Sequence, residues 1–183
     1  MQKILDKLTN PAIFVLVAAI LRLVPHAPNF APIGAMALFG GAYLGRKSAI
    51  ALPLLAMFFS DVFIGFDSVS SRLTVYGSFA AIGLVGMWLR NHRSFQNVVL
   101  AALGSSLLFF VITNFGVWAF GTIYPKTAAG LAACFIAAIP FFRNTLAGDL
   151  FYTGVFFGGF ELISRFTLSR KLAILGKGVE KHG

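Results

Sequence analysis

Charge is scarce in this chain. Only 11% of its 183 residues are Asp, Glu, Lys or Arg, while 58% are hydrophobic; an ordinary soluble domain carries roughly 25% charge. So little charge cannot cover a water-facing surface, which excludes a soluble globular fold and turns the apolar surplus toward lipid. Acidic residues are scarcer still: six Asp and Glu face fifteen Lys and Arg, for a net charge of +9. In a membrane chain that excess reads as orientation before it reads as a nucleic-acid footprint, and no nucleic-acid partner is expected. The single cysteine, Cys134, lies in an apolar run, which excludes an internal disulfide and offers no thiolate cluster. No metal site and no resident cofactor are expected. A G-x-x-x-x-G-K-[ST] loop is also missing, so any ATP chemistry has to come from another protein.

Uninterrupted apolar runs are few as well. Between charged residues lie Thr9 to Leu21, Leu23 to Gly45, Ser48 to Ser60, Leu73 to Leu89, Ser94 to Pro125, Thr127 to Phe142 and Leu150 to Phe160. A spanning helix needs roughly 20 mostly apolar residues. Pro25, Pro28 and Pro32 divide the second run, so residues 25–32 read as an extended connector with a helix on either side. Irregular backbone at membrane depth is tolerated where it lines a cavity, which makes this connector a candidate cavity wall. The expected architecture is an all-α membrane protein, one integral domain over 1–183, with six transmembrane helices at about 10–24, 32–45, 47–65, 73–90, 96–121 and 144–167. The N-terminal segment lacks a small-residue cleavage site and reads as a retained first helix. An additional apolar segment, 127–141, is expected to dip, lie at the interface or form part of a broken helix, and 168–183 is a basic tail.

Six crossings with a cytoplasmic N-terminus place eleven of the fifteen Lys and Arg residues on the inside, leaving Arg22, Arg72, Lys126 and Arg143 outside. The positive-inside rule favours that orientation, with both termini cytoplasmic. A seventh crossing at 127–141 would export the basic tail. The tail also suits anionic membrane lipid.

The costly polar residues then collect in the outer half. They are His26 and Asn29 on the connector, Asp61 closing the third helix, Tyr76 in the fourth, Asn114 and Trp118 at i,i+4 in the fifth, and Arg143 with Asp149 in the last. Ionisable groups at membrane depth cost at least roughly 2.5–3.5 kcal/mol each and face a cavity or a partner. Arg143 is the candidate for a substrate carboxylate or phosphate, and Asp61 for positioning or a cation. Internally, Asp61 could pair with Arg143 or bond to His26, Asp149 could pair with Arg143, and Arg22 is expected to snorkel. Gly34, Ala37, Gly41 and Gly45 form a small-residue face suited to close helix packing, within the chain or against a partner helix.

The stretches LRLVPHAPNFAPIGAMALFGGAYLG, SDVFIGF, VYGSFAAIGLVG, FFVITNFGVW and AAIPFFRNTLAGDLFYTGVFFG resemble a family of small bacterial multi-pass membrane proteins of unassigned function. That family is similar to the substrate-binding S-components of energy-coupling factor (ECF) transporters, nearest the solitary cobalamin-uptake type. The resemblance implies an S-component-like six-helix bundle in the bacterial inner membrane that takes up a vitamin-like solute, a corrinoid among the candidates, with an ECF coupling protein and ATPases as partners. It places His26, Asp61, Tyr76 and Arg143 at matching polar positions. One departure bears on the solute. The cobalamin type uses a loop cysteine against the cobalt centre, whereas residues 67–74 here read DSVSSRLT, and a hydroxyl does not replace a thiolate as soft ligand.

The expected function is therefore capture of a small polar or vitamin-like solute from the outer face, without catalysis. The alternatives are an intramembrane enzyme acting on a lipid or prenyl substrate, for which paired His and acidic residues and a D-D-x-x-D run are missing, and a structural membrane protein whose polar residues pair internally.

Overall fold

The computed structural model describes residues 9–25 and 27–179. Helices dominate, and no strand occurs among the described residues. α1 spans Pro11–Leu21, α2 Ile33–Tyr43, α3 Ser48–Ile64, α4 Val69–Leu89, α5 Phe95–Phe120 and α6 Ala128–Thr153. A π-helical turn, Gly154–Gly158, carries α6 into α7, Gly159–Val179. Local chemistry accounts for the starts. The side chains of Asn10, Ser68, Ser94 and Thr127 accept backbone N–H bonds at the heads of α1, α4, α5 and α6, and Pro11 occupies the first turn of α1. α3 ends at Gly65, whose φ of 107° suits glycine and whose N–H returns to Asp61 O at 2.8 Å.

One expectation changes here. Residues 127–141 and 144–167, read as separate segments, belong to one continuous helical rod running from Ala128 to Val179. Pro140 lies inside it without ending it, because the loss of one backbone bond is absorbed where neighbouring turns hold the helix. Within the π turn the consecutive Phe156 and Phe157 are both buried, a placement the wider turn permits.

The bundle is organised around its shortest elements. In α2 every residue from Gly34 to Ala42 is buried, so an 11-residue helix has no outer face. Its small residues admit neighbouring backbones. A Cβ added to Gly41 would lie 2.7 Å from Gly86 Cα of α4, and one added to Gly86 would lie 2.9 Å from Gly41 Cα. Gly40 is similarly close to Pro53 of α3. Gly34, Ala37 and Gly41 are thus used inside the chain, and only Gly45, with open space around it, is exposed. Phe39 completes the centre, its ring 4.6 Å from Tyr43 and 5.3–5.5 Å from Phe14, Phe157 and Phe160.

α4, α5 and the stretch Ala128–Arg170 are long and apolar enough to cross a membrane, and α1, α2 and α3 are shorter apolar helices. Large apolar side chains project from the bundle surface, Phe63 at 79% and Leu73 at 70% exposure among them, as expected of a helical membrane protein. The two ends differ in charge. Arg90, Arg93 and Arg165 gather around Tyr43 at one end. There Arg90 Nη2 donates to Gly41 O at 3.0 Å and to Leu44 O, capping the C-terminus of α2. Arg90→Met leaves those carbonyls unpaired and is expected to lower stability by about 1.5–3 kcal/mol, read as the thermal unfolding midpoint in detergent.

Candidate functional site

The other end is hollow. A cavity of about 390 Å³ lies between the start of α4, the C-terminal half of α5 and the middle of α6. It is lined by the hydroxyls of Ser68, Ser71, Thr74, Thr113 and Thr145 and by the rings of Phe109, Phe110, Phe141 and Phe142. A second chamber of about 190 Å³ adjoins it, sharing Asn29, Val75, Phe109 and Thr145, and reaches inward to Gly34 and Asp149. A third, of about 320 Å³, is lined by Arg22, Asp61, Asp67, Arg72 and Tyr76. Val75 borders all three.

The connector forms part of the wall. Asn29 adopts φ 62°, a left-handed conformation that asparagine tolerates, and lines both the large and the inner chamber. The Asn144 amide donates to Pro28 O at 2.9 Å, and the Phe30 ring lies 5.6 Å from Tyr152, so α6 holds the connector in place. His26 lies outside the described residues.

Asp61 is buried, and its partners differ from those expected. Arg22, not Arg143, pairs with it: Arg22 Nη1 lies 2.5 Å from Asp61 Oδ1. The same nitrogen donates to Ser60 Oγ at 2.5 Å and Met57 O at 3.1 Å. Tyr76 donates its hydroxyl to Asp61 Oδ2 at 2.5 Å. Arg22 closes α1 facing the end of α3, which turns a side chain expected to snorkel into the counter-ion of a buried carboxylate. The group ties α1, α3 and α4 together and borders the third chamber.

Asp149 is also buried and has no cation beside it among the described residues. Ser106 of α5 donates to its Oδ2 at 2.7 Å. The carboxylate lies against the first turn of α2, so close to Gly34 that a Cβ there would stand 2.8 Å from Asp149 Cγ. Arg143, expected to pair with Asp61 or Asp149, is exposed and makes no hydrogen bond or ion pair among the described residues. It is six residues from Asp149, nearly two turns, and points to a different side of α6.

Asn114 and Trp118, adjacent on α5, separate in role. Asn114 lines the large chamber while its amide donates to Phe110 O at 2.7 Å. Trp118 Nε1 donates to Pro125 O at 2.9 Å, and Lys126 lies over its ring while bonding Trp118 O and Gly121 O. Trp118 therefore fastens the turn between α5 and α6 rather than lining a chamber. The structure thus brings Asn29, Asp61, Tyr76, Asn114 and Asp149 to one hollow end, and leaves Arg143 and Trp118 beside it.

Sequence reasoning missed Arg22, Ser106 and the hydroxyl wall. A signal existed for the last: Ser70 and Thr74 fall at i,i+4 in a segment otherwise dense in serine. No group of three or more His, Cys, Asp or Glu side chains suited to a metal occurs among the described residues.

The chain belongs to a family of unknown function, DUF6580, whose profile matches residues 2–172. No curated protein and no solved structure matches it.

Proposed function

We propose that this protein is a multi-pass membrane protein that captures a small, partly aromatic solute at its hollow end and assists its uptake. The observation that carries this reading is the adjoining pair of chambers, one hydroxylic and aromatic, the other ending on a buried carboxylate. Their volumes, about 390 and 190 Å³, together fall within the roughly 300–1,000 Å³ of small-molecule pockets. Aromatic rings and hydroxyls lining one chamber suit a small heterocycle bearing polar substituents. The loop at 67–74 offers serines instead of a thiolate, which weighs against a corrinoid.

In this reading the six rods each cross the inner membrane, with α6, the π turn and α7 making the last crossing. The arginine-rich end faces the cytoplasm, and the chambers open outward. Residues 128–141 then extend the final helix beside the outer half of α5 and need no crossing of their own. The non-helical connector is tolerated because it lines the site. Likeness to an S-component supplies the rest of the proposal: an ECF coupling protein and ATPases would provide the energy that this chain, without a nucleotide-binding loop, does not.

Native mass spectrometry of gently purified protein tests capture directly, with retention of a small solute expected. Val75→Phe places a ring where the three chambers meet. It is expected to abolish retention while the unfolding midpoint of solute-free protein stays within a few degrees. Retention undiminished by that ring would place the solute elsewhere.

A further inference from the structure

The inner chamber presents the strongest recognition chemistry in the molecule. Asp149 is 4% exposed. One of its oxygens, Oδ2, accepts from Ser106 at 2.7 Å, and the other has no hydrogen-bond partner among the described residues, although Asp149 lines the chamber. The first turn of α2 lies against the carboxylate; Pro32 at its head caps it without a side-chain bond, and free N–H groups there favour an anion. The cation on the wall, Arg22, is already held by Asp61, Ser60 and Met57 O. A carboxylate so placed at membrane depth lacks the counter-charge that such groups normally have. The stacked pair Phe79 and Phe109, 5.0 Å apart, lines the same chamber.

We infer that the solute carries a protonated or N–H-donating nitrogen on an aromatic ring, and that this nitrogen bonds to the free oxygen of Asp149 while the ring rests against Phe79 and Phe109. This rests on the capture reading above and reverses the polarity expected from Arg143: the anchor is an anion, so the recognised end of the solute is cationic or a donor. Thr145 and Asn29, at the junction with the larger chamber, would take the remaining polar substituents. The aromatic faces add cation–π attraction to the same nitrogen.

The test uses three ring probes of nearly equal size, benzamidine, benzoate and benzyl alcohol, titrated against the full-length protein in detergent and followed by thermal shift and calorimetry. Benzamidine is expected to bind, benzoate not, and benzyl alcohol more weakly than benzamidine. Asp149→Asn keeps the shape and the Ser106 bond while removing the charge. It is expected to weaken benzamidine about tenfold or more and to leave benzyl alcohol unchanged. Should Asp149→Asn unfold the protein, Ser106→Ala replaces it, with a smaller loss confined to benzamidine. Binding of benzoate equal to benzamidine, or loss of all three probes in equal measure, overturns the inference while leaving solute capture standing. Binding of none of them, together with no solute retained in native mass spectrometry, overturns both.

Discussion

Replacing Gly41 by Leu is expected to cost at least about 3 kcal/mol, the upper part of the range for overpacking a close-packed interior, and to abolish monodisperse protein in detergent. The reason is the α2–α4 crossing. Gly41 and Gly86 meet backbone to backbone, and what a side chain at either would strike is main chain, which cannot rotate away. Gly86→Val is expected to behave alike. Gly77→Ala and Gly104→Ala serve as controls on the same class of helix, since nothing lies within 4 Å of a Cβ at either position; each is expected to be neutral or to gain about 0.5–1 kcal/mol. Size-exclusion profiles and unfolding midpoints of the four variants check the contrast. Equal tolerance at Gly41 and Gly104 would mean that this crossing does not hold the bundle.

The second large effect lies at Arg22. Arg22→Met removes the only cation paired with Asp61 among the described residues and leaves a buried carboxylate bonded to Tyr76 alone. Breaking a buried pair in this way costs about 3–5 kcal/mol. Arg22→Met combined with Asp61→Leu removes both charges and is expected to recover most of that loss, because desolvation of the pair offsets much of its attraction. The double variant also separates roles: recovered stability with solute retention intact makes the pair a brace of the bundle, whereas recovered stability without retention makes it part of the site. A double variant no more stable than the single one would contradict the pairing.

These two predictions differ in how far the residues alone announce them. The glycine pattern of the second helix was legible, since small residues at i,i+4 permit close approach, but both packing within the chain and docking to a partner satisfied it. Burial of all of Gly34–Ala42 decided for the interior. The partner of Asp61 was not legible. Arg22 and Asp61 are 39 positions apart, and both Arg143 and His26 were equally good candidates by charge. Only the placement of the end of α1 beside the end of α3 selects Arg22. The same holds for Asp149, whose expected partner stood six residues away on its own helix, while its actual one, Ser106, comes from the neighbouring helix.

Segment 127–141 shows a different limit. The positive-inside rule argued against a separate crossing there, since a seventh span would export the basic tail, and left the segment to dip, lie at the interface or form part of a broken helix. The helix continues because its backbone bonds are internal and because α5 packs along it, so a local proline does not end it.

What the sequence determined by itself is what depends on composition and local chemistry: that the chain belongs with lipid and that it is helical. A scarcity of charge and a proline-rich connector suffice for that, since solvent and backbone sterics act on every residue alike. Tertiary structure decided which charges meet, which small residues are used up inside, and where space remains. Those outcomes depend on distances between segments remote in sequence, and they made an ion-paired Asp61, a carboxylate at Asp149 without a counter-ion among the described residues and a chamber lined by hydroxyls and rings out of residues that looked alike in the sequence.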